Sequence, residues 1–361
     1  MTLQILYPML PFSNRDIVSV SVLGGMNLAP IHNDHVVVAV DFDRFASYRY
    51  DDRQSLRWDC LFVLPEWQAA WWQAFGPKSQ PRIICVRRQQ EVIGIAPLLV
   101  EGQRASIIGG SDVCDYLDFI VSPAKAEDFF CPLLDHLEQQ KLAKLDLGPL
   151  RPDSTVLSGM IRIAEDRGRS VTVSPHEVSL EVDLPATWDD YLGLLKGKQR
   201  HEVKRKLRRL GEAGDVNFRV VEETEEVRQQ MPIFFQLFKK SGEAKAAFLT
   251  DQMTSYFEAL ATAMAKAKIL RLCILELNGV PVAMSMCFDF MATRYLYNSG
   301  FDPRFRGISA GLMCKVLSIK DAIQNQCRKY DFLKGGETYK YRLGGKEVPL
   351  VDCRIELEDQ K

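Results

Sequence analysis

The sequence predicts a mixed α/β (α+β) fold built twice over, and three observations carry that prediction. From residue 62 onward, apolar runs of strand length alternate with segments of helical period. Two stretches recur at a spacing of about 186 residues: "IGIAPL" (93–98) is answered by "VPVAMS" (280–285), and "KLDLG" (144–148) by "KYDFLKG" (329–335), with Asp146 opposite Asp331. At 361 residues the chain is also long for one core. The expected division is an N-terminal extension at 1–50, a degenerate first domain at 51–180 and a second domain at 181–361.

The first 50 residues read as a loose or strand-forming extension, and Met1 and Met26 both serve as possible starts. In "LPEWQAAWWQAFG", Pro65 and Glu66 mark a helix start and Gly76 a stop, with Trp67, Ala70, Trp71 and Phe75 on one face. "RIICV" and "VIGIAPLLV" make a strand pair, followed by an extended "DYLDFIV", a helix near 125–140 and the strand "AKLDLG". The second series starts near 185, with helices at 187–212, 224–240 and 251–267 interrupted by the strand "NFRVV". "ILRLCILEL" and "VPVAMSMCFDF" meet at Asn278-Gly279, a strong hairpin signal. "TRYLYNSGF", a turn, a helix at 309–327, "YDFLKG" and a last strand "LVDCRIEL" complete the copy.

Composition is that of a soluble globular protein, and a formal charge of −1 gives no global reason to expect DNA. Nine scattered cysteines without a C-x-x-C pair read as buried thiols in a reducing cytoplasm, and neither they nor the five dispersed histidines suggest a metal centre. No signal peptide or membrane-spanning run is visible, so the expected location is cytoplasmic, with contact at the inner membrane surface left open.

Two segments carry chemistry. In "GFDPRFRGISAGLM" (300–313), Arg304 to Ser309 fit R-x-x-G-x-S between a strand and a helix. Free N–H groups at such a helix start suit a pyrophosphate, with Gly307 admitting close approach, Ser309 as N-cap, and Arg304 or Arg306 pairing with oxygens. The same residues also suit a plain connection with surface arginines. The second segment, "KGKQRHEVKRKLRR" (196–209), sets eight basic residues against one acid, a local charge of +7. Val203, Leu207 and Leu210 supply a narrow apolar seam. The remaining surface is either solvated or holds an anionic partner: a sugar phosphate, a lipid-phosphate carrier, RNA or an acidic membrane.

The element order around this turn resembles the GNAT acyltransferase superfamily, and "YDFLKGGETYKYRLG" (330–344) is similar to the signature of its CelD/FemAB-like branch. Asp331, Phe332, Gly335, Glu337, Tyr339 and Lys340 match that signature, whereas Ser309 and Ala310-Gly311 depart from the usual Gly or Ala and Pro-Gly. The resemblance implies two tandem GNAT-like domains. In the second, Arg304, Arg306, Gly307, Ile308, Ser309, Ala310 and Gly311 would hold acyl-CoA, with Tyr297 and Asn298 beside the thioester. It further implies catalytic roles for Glu337, Tyr339 and Asp331, acceptor contacts at Lys340, Asp115 and Tyr116, and no metal. The implied reaction is N-acyl transfer to an amine on a sugar or cell-envelope precursor. The alternatives are FemAB-like transfer from aminoacyl-tRNA, or a non-catalytic scaffold in polysaccharide assembly.

Overall fold

The structure, a computed structural model, describes residues 35–51, 54–77 and 81–358. The readings for residues 1–34, including the two possible starts, lie outside the described residues.

The first copy runs β1 (His35–Val40), α1 (Phe42–Arg49), α2 (Pro65–Phe75), β2 (Arg82–Arg88), β3 (Glu91–Glu101), β4 (Arg104–Ile107), β5 (Ile120–Val121), α3 (Ala126–Gln139), β6 (Lys144–Leu150), α4 (Ile161–Asp166) and β7 (Val171–Asp183). Proline at the first turn of α2 and Gly76 at its end bound that helix as expected. Of "DYLDFIV", only Ile120–Val121 is extended. The second copy runs α5 (Trp188–Leu194), α6 (Gly197–Glu212), β8 (Val216–Val221), α7 (Thr224–Lys240), α8 (Glu243–Phe248), α9 (Asp251–Lys266), β9 (Leu270–Leu277), β10 (Val280–Phe290), β11 (Thr293–Phe301), α10 (Ala310–Gln324), β12 (Lys329–Lys334), α11 (Thr338–Arg342) and β13 (Lys346–Glu356). Asn278 and Gly279 both take left-handed backbone, φ +51° and +75°, as the tight hairpin requires.

All strands join one mixed sheet in the order β1-β2-β3-β4-β6-β13-β7-β12-β11-β10-β9-β8, with β5 attached to β3. That order mirrors itself. In each copy three antiparallel pairings lead to one short parallel pairing, β4 with β6 and β11 with β12, each of three residue pairs. Asp146 and Asp331 occupy the same third position, opposite Ser106 and Tyr295, so the repeat in the sequence is a repeat in register.

The copies exchange their last strands. β7, which ends the first, pairs with β12 of the second, and β13, which ends the second, pairs with β6 of the first. β7 and β13 then pair with each other and join the two halves of the sheet.

Helices cover both faces. Leu272 and Ile274 face the core shared with α2, α7 and α9, and Cys273 and Leu275 face the one shared with α5, α6 and α10. A Cβ at Gly300 would stand 2.3 Å from the Phe238 nitrogen, so glycine there lets α7 lie directly on β11. Buried Arg294 fastens α10 to the sheet through Asp289 at 2.6 Å and Asp321 at 2.5 Å. All nine cysteines are buried and unpaired.

Candidate donor groove and cleft between the copies

β11 ends at Phe301, and a 3-10 segment, Pro303–Ile308, leads into α10. Asp302 organises this turn. Its carboxylate accepts from the Arg304 nitrogen at 3.0 Å, the Arg304 guanidinium at 2.8 Å and Lys240 Nζ at 3.3 Å. Arg304 foremost holds that carboxyl well below the usual range. Arg304 is therefore committed, whereas exposed Arg306 has no carboxylate within 4 Å among the described residues.

Gly307 is open: a Cβ there would meet nothing within 4 Å. Ser309 occupies the N-cap position of α10 with left-handed backbone (φ +58°), and its hydroxyl makes no cap bond, which corrects the expected side-chain cap. Its N–H closes onto the Arg306 carbonyl at 2.9 Å instead. Left-handed backbone at a non-glycine costs about 1–2 kcal/mol, here at the point where the free N–H groups of α10 converge. Gly311 is small because a Cβ would stand 2.9 Å from the Phe301 ring. Ile308 and Ala310 pack into the core behind the turn.

Before this turn lies a groove. Its narrow part, about 250 Å³, is lined by Arg306, Ser309, Gly311 and Lys315. Lys206, Leu312 and Tyr339 also line a wider part of about 660 Å³ that runs along α6 past Lys198, His201 and Arg342. The two motifs singled out from the sequence thus form opposite walls of one groove. α6 docks through Val203 and Leu210, as its seam predicts. Glu202 accepts from Arg205 at 2.8 Å and lies 3.5 Å from Lys206, while Lys198, Arg200, Lys204 and Arg209 have no carboxylate within 4 Å among the described residues. The cations that line the groove are Lys198, Lys206, Arg306, Lys315 and Arg342, against Glu202.

β11 and β12 separate beyond Tyr295 and Asp331, where their pairing stops. Glu337 stands at the N-cap of α11, 57% exposed, 2.8 Å from Lys340 Nζ. Residues 338–342 are helical rather than extended, so Tyr339 and Tyr341 do not share a face. Tyr339 turns into the groove, and burial, reinforced by Glu337, raises its phenol pKa. Tyr341 turns outward to Glu347 at 2.5 Å.

Lys340 is not placed as a substrate contact. Only 2% exposed, it donates to the carbonyls of Leu333, Lys334 and Gly335 at 3.0, 2.6 and 3.0 Å, fastening the end of β12. Lys315, which no motif marks in the sequence, lines the groove with its Nζ 5.2 Å from the Tyr339 ring centroid.

The other catalytic expectations part company here. Asp331 faces away from the groove, fully buried, accepting from Tyr116 Oη at 2.9 Å, Ser179 Oγ at 3.2 Å and the Leu333 nitrogen at 2.7 Å. With those acceptor sites occupied and Glu337 and Tyr339 across the sheet, Asp331 is a structural tie between the copies. Asp115 and Tyr116 do come to the boundary between copies as expected, but Asp115 accepts from the Lys334 nitrogen at 2.9 Å. Tyr297, expected beside the thioester, lies outside the groove lining: its ring packs against Trp67, Phe257 and Phe288, and its hydroxyl donates to the Val113 carbonyl at 2.9 Å. Asn298 follows on the same strand, partly buried and outside the groove lining. Beside Tyr116 and Asp331 lies a cavity of about 420 Å³, flanked by Arg151, Glu181, Tyr295 and Lys329. Among the described residues, no group of three His, Cys, Asp or Glu side chains is arranged to hold a metal ion, and no helix is long and apolar enough to cross a membrane.

A twice-built mixed sheet whose parallel strands part beside a helix start defines the class, and the comparisons agree. Residues 197–341 match the family described as "Acetyltransferase (GNAT) domain". That match runs from the start of α6 into α11, within the second copy. The crystal structure of FemX is similar in fold, with a TM-score of 0.64 at 14% identity, covering 88% of this chain and 96% of that one. A conserved protein of unknown function from Bacteroides thetaiotaomicron VPI-5482 gives 0.55 at 12% identity over 81% of this chain and 89% of its own. The C-terminal domain of a protein named as a candidate lysylphosphatidylglycerol synthetase from Agrobacterium fabrum gives 0.51 at 13% identity over 74% of this chain and 81% of its own. No curated protein matches the chain in sequence.

Proposed function

We propose that the protein is an N-acyltransferase whose donor, acyl-CoA, lies in the groove between α6 and the 300–313 turn and delivers its acyl group where β11 and β12 part. The single observation that carries this reading is the convergence of the turn and the basic helix on one groove, with Phe301 at the end of β11 in its lining. Phosphate oxygens would meet Arg306, Lys206 and the free N–H groups of α10. The acceptor is an amine on a sugar or cell-envelope precursor.

In this reading Glu337 takes the proton released as the amine attacks the thioester carbonyl, directly or through a water. Tyr339, kept protonated by burial, donates to the departing thiolate. Its neighbour Lys315, with Nζ 5.2 Å from the ring centroid, adds positive charge where negative charge develops. The experiment is a thiol-release assay with acetyl-CoA and a panel of amino sugars and envelope-precursor amines. Amine-dependent release of CoA supports the reading, and its absence across the panel contradicts it.

A second reading, transfer from aminoacyl-tRNA, draws support from the basic surface of α6, from which Lys198 and Lys206 line the groove. It predicts RNA binding whose affinity falls steeply with salt and requires α6.

A further inference from the structure

The cavity of about 420 Å³ between the copies shares no lining residue with the donor groove. Its Tyr295 belongs to the core shared with α2, α7 and α9, whereas Leu312 and Tyr339 of the groove pack on the core across the sheet. Tyr295 and Asp331, the last pair before β11 and β12 separate, both line it.

The charge of this cavity is lopsided: its lining carries five carboxylates and three cations. All three cations are committed. Arg151 donates to Asp153 at 3.2 Å and to Glu181 at 3.1 Å, Lys329 donates to Glu181 at 2.6 Å, and Arg57 lies 2.5 Å from Asp59. The two remaining carboxylates are held by neutral donors, Asp118 by Thr155 and Asp331 by Tyr116 and Ser179, and Arg151 comes no closer to Asp331 than 3.7 Å. A cleft with that balance repels anions and concentrates cations.

One group in the lining lacks a partner. Tyr295 is only 6% exposed, yet its hydroxyl makes no hydrogen bond within 3.5 Å among the described residues, and Tyr116, the phenol beside it, gives its own proton to Asp331. Buried hydroxyls are as a rule hydrogen-bonded, so the partner of this one has to come from the cavity.

We propose that this cavity binds the ammonium form of a small hydroxyl-bearing amine, an amino sugar or amino alcohol, its ammonium drawn to the surplus carboxylates and a polar group paired with Tyr295. The amine has two sources: the acceptor, held before it loses its proton, or an amine that is bound and not acylated. In the first case the inference rests on the proposed function, and in the second it stands apart from it.

Calorimetric titration of the full chain with glucosamine, N-acetylglucosamine and glucose 6-phosphate tests the site, using wild type, Tyr295→Phe and Asp153→Asn. Glucosamine should bind wild type at least about tenfold more tightly than either other sugar. Its affinity should fall about fivefold in each variant, with acetyl-CoA binding unchanged in both. Added acetyl-CoA then separates the sources. Release of CoA with KM raised about fivefold and kcat unchanged in Tyr295→Phe makes the ligand the acceptor, and binding without release makes it a separate amine.

No binding of glucosamine to wild type, equal or tighter binding of glucose 6-phosphate, or a glucosamine affinity that neither variant changes overturns the site. If glucosamine binds wild type and acetyl-CoA does not, the donor reading falls and the cavity site stands. Should Tyr295→Phe not fold, Asp153→Asn, at a side chain 75% exposed, decides the matter by itself.

Discussion

Arg304 and Arg306 stand two residues apart, and their surroundings give them different work. Arg304 is held by both oxygens of Asp302, and Arg306 reaches the groove unpaired. Arg306→Ala is expected to weaken acetyl-CoA binding about tenfold, and Arg304→Ala less than about twofold, by calorimetry. Two glycines separate as cleanly. Gly300→Ala would force a Cβ to 2.3 Å from the Phe238 nitrogen and should destabilise by at least about 1–3 kcal/mol in urea melts, the cost of overpacking. Gly307→Ala, with nothing within 4 Å, should leave stability within about 0.5 kcal/mol of wild type. The sequence made the turn legible, since arginine, glycine and serine at that spacing have a local mechanism. It gave no sign of Lys315, which sits on an ordinary helix and becomes notable only where α10 lines the groove beside Tyr339.

At the scale of elements, the basic helix and the turn were each visible, but their juxtaposition is tertiary. β7 was missed, because Pro175 and the charges of "VTVSPHEVSLEVD" mask a strand whose first half stays exposed. The helix α11 is not marked in the sequence, because two tyrosines two residues apart fit either period over so short a run. No glycine stands between Gly110 and Gly148, so the first copy has no counterpart of the R-x-x-G-x-S turn, and the segment in that place has another use. Residues 111–116 cross to the second copy, where Val113, Asp115 and Tyr116 bond Tyr297, Lys334 and Asp331. Burial raises Asp115 to about 6 from an ordinary 3.8, so the folded state binds that proton more tightly than the unfolded chain. Its contribution therefore worsens as pH rises from about 4 to about 6, by on the order of 3 kcal/mol. Asp115→Asn keeps an acceptor for the Lys334 nitrogen and removes this dependence. Denaturation at pH 4 and pH 7 should show the variant gaining on wild type at the higher pH.

For the whole molecule, duplication was legible and the exchange of strands was not, since nothing in β7 or β13 states which neighbour each will choose. The exchange has a mechanical consequence. A fragment of residues 184–361 keeps every element of the donor groove but leaves β12 and β13 without β7 between them. It should lack a cooperative thermal transition by circular dichroism, and adding back residues 171–183 as an N-terminal extension should restore one. A cooperative melt of the shorter fragment would show that the exchanged strand is dispensable.

The central claim is that the donor's phosphates lie between the 300–313 turn and α6. Gly307→Glu tests it most directly, because the open surroundings of Gly307 leave the fold intact while the new carboxylate enters the cradle. In calorimetric titration with acetyl-CoA, wild type should bind and Gly307→Glu should bind at least about tenfold more weakly. Equal affinity in the two proteins, or no binding to wild type, would contradict the account.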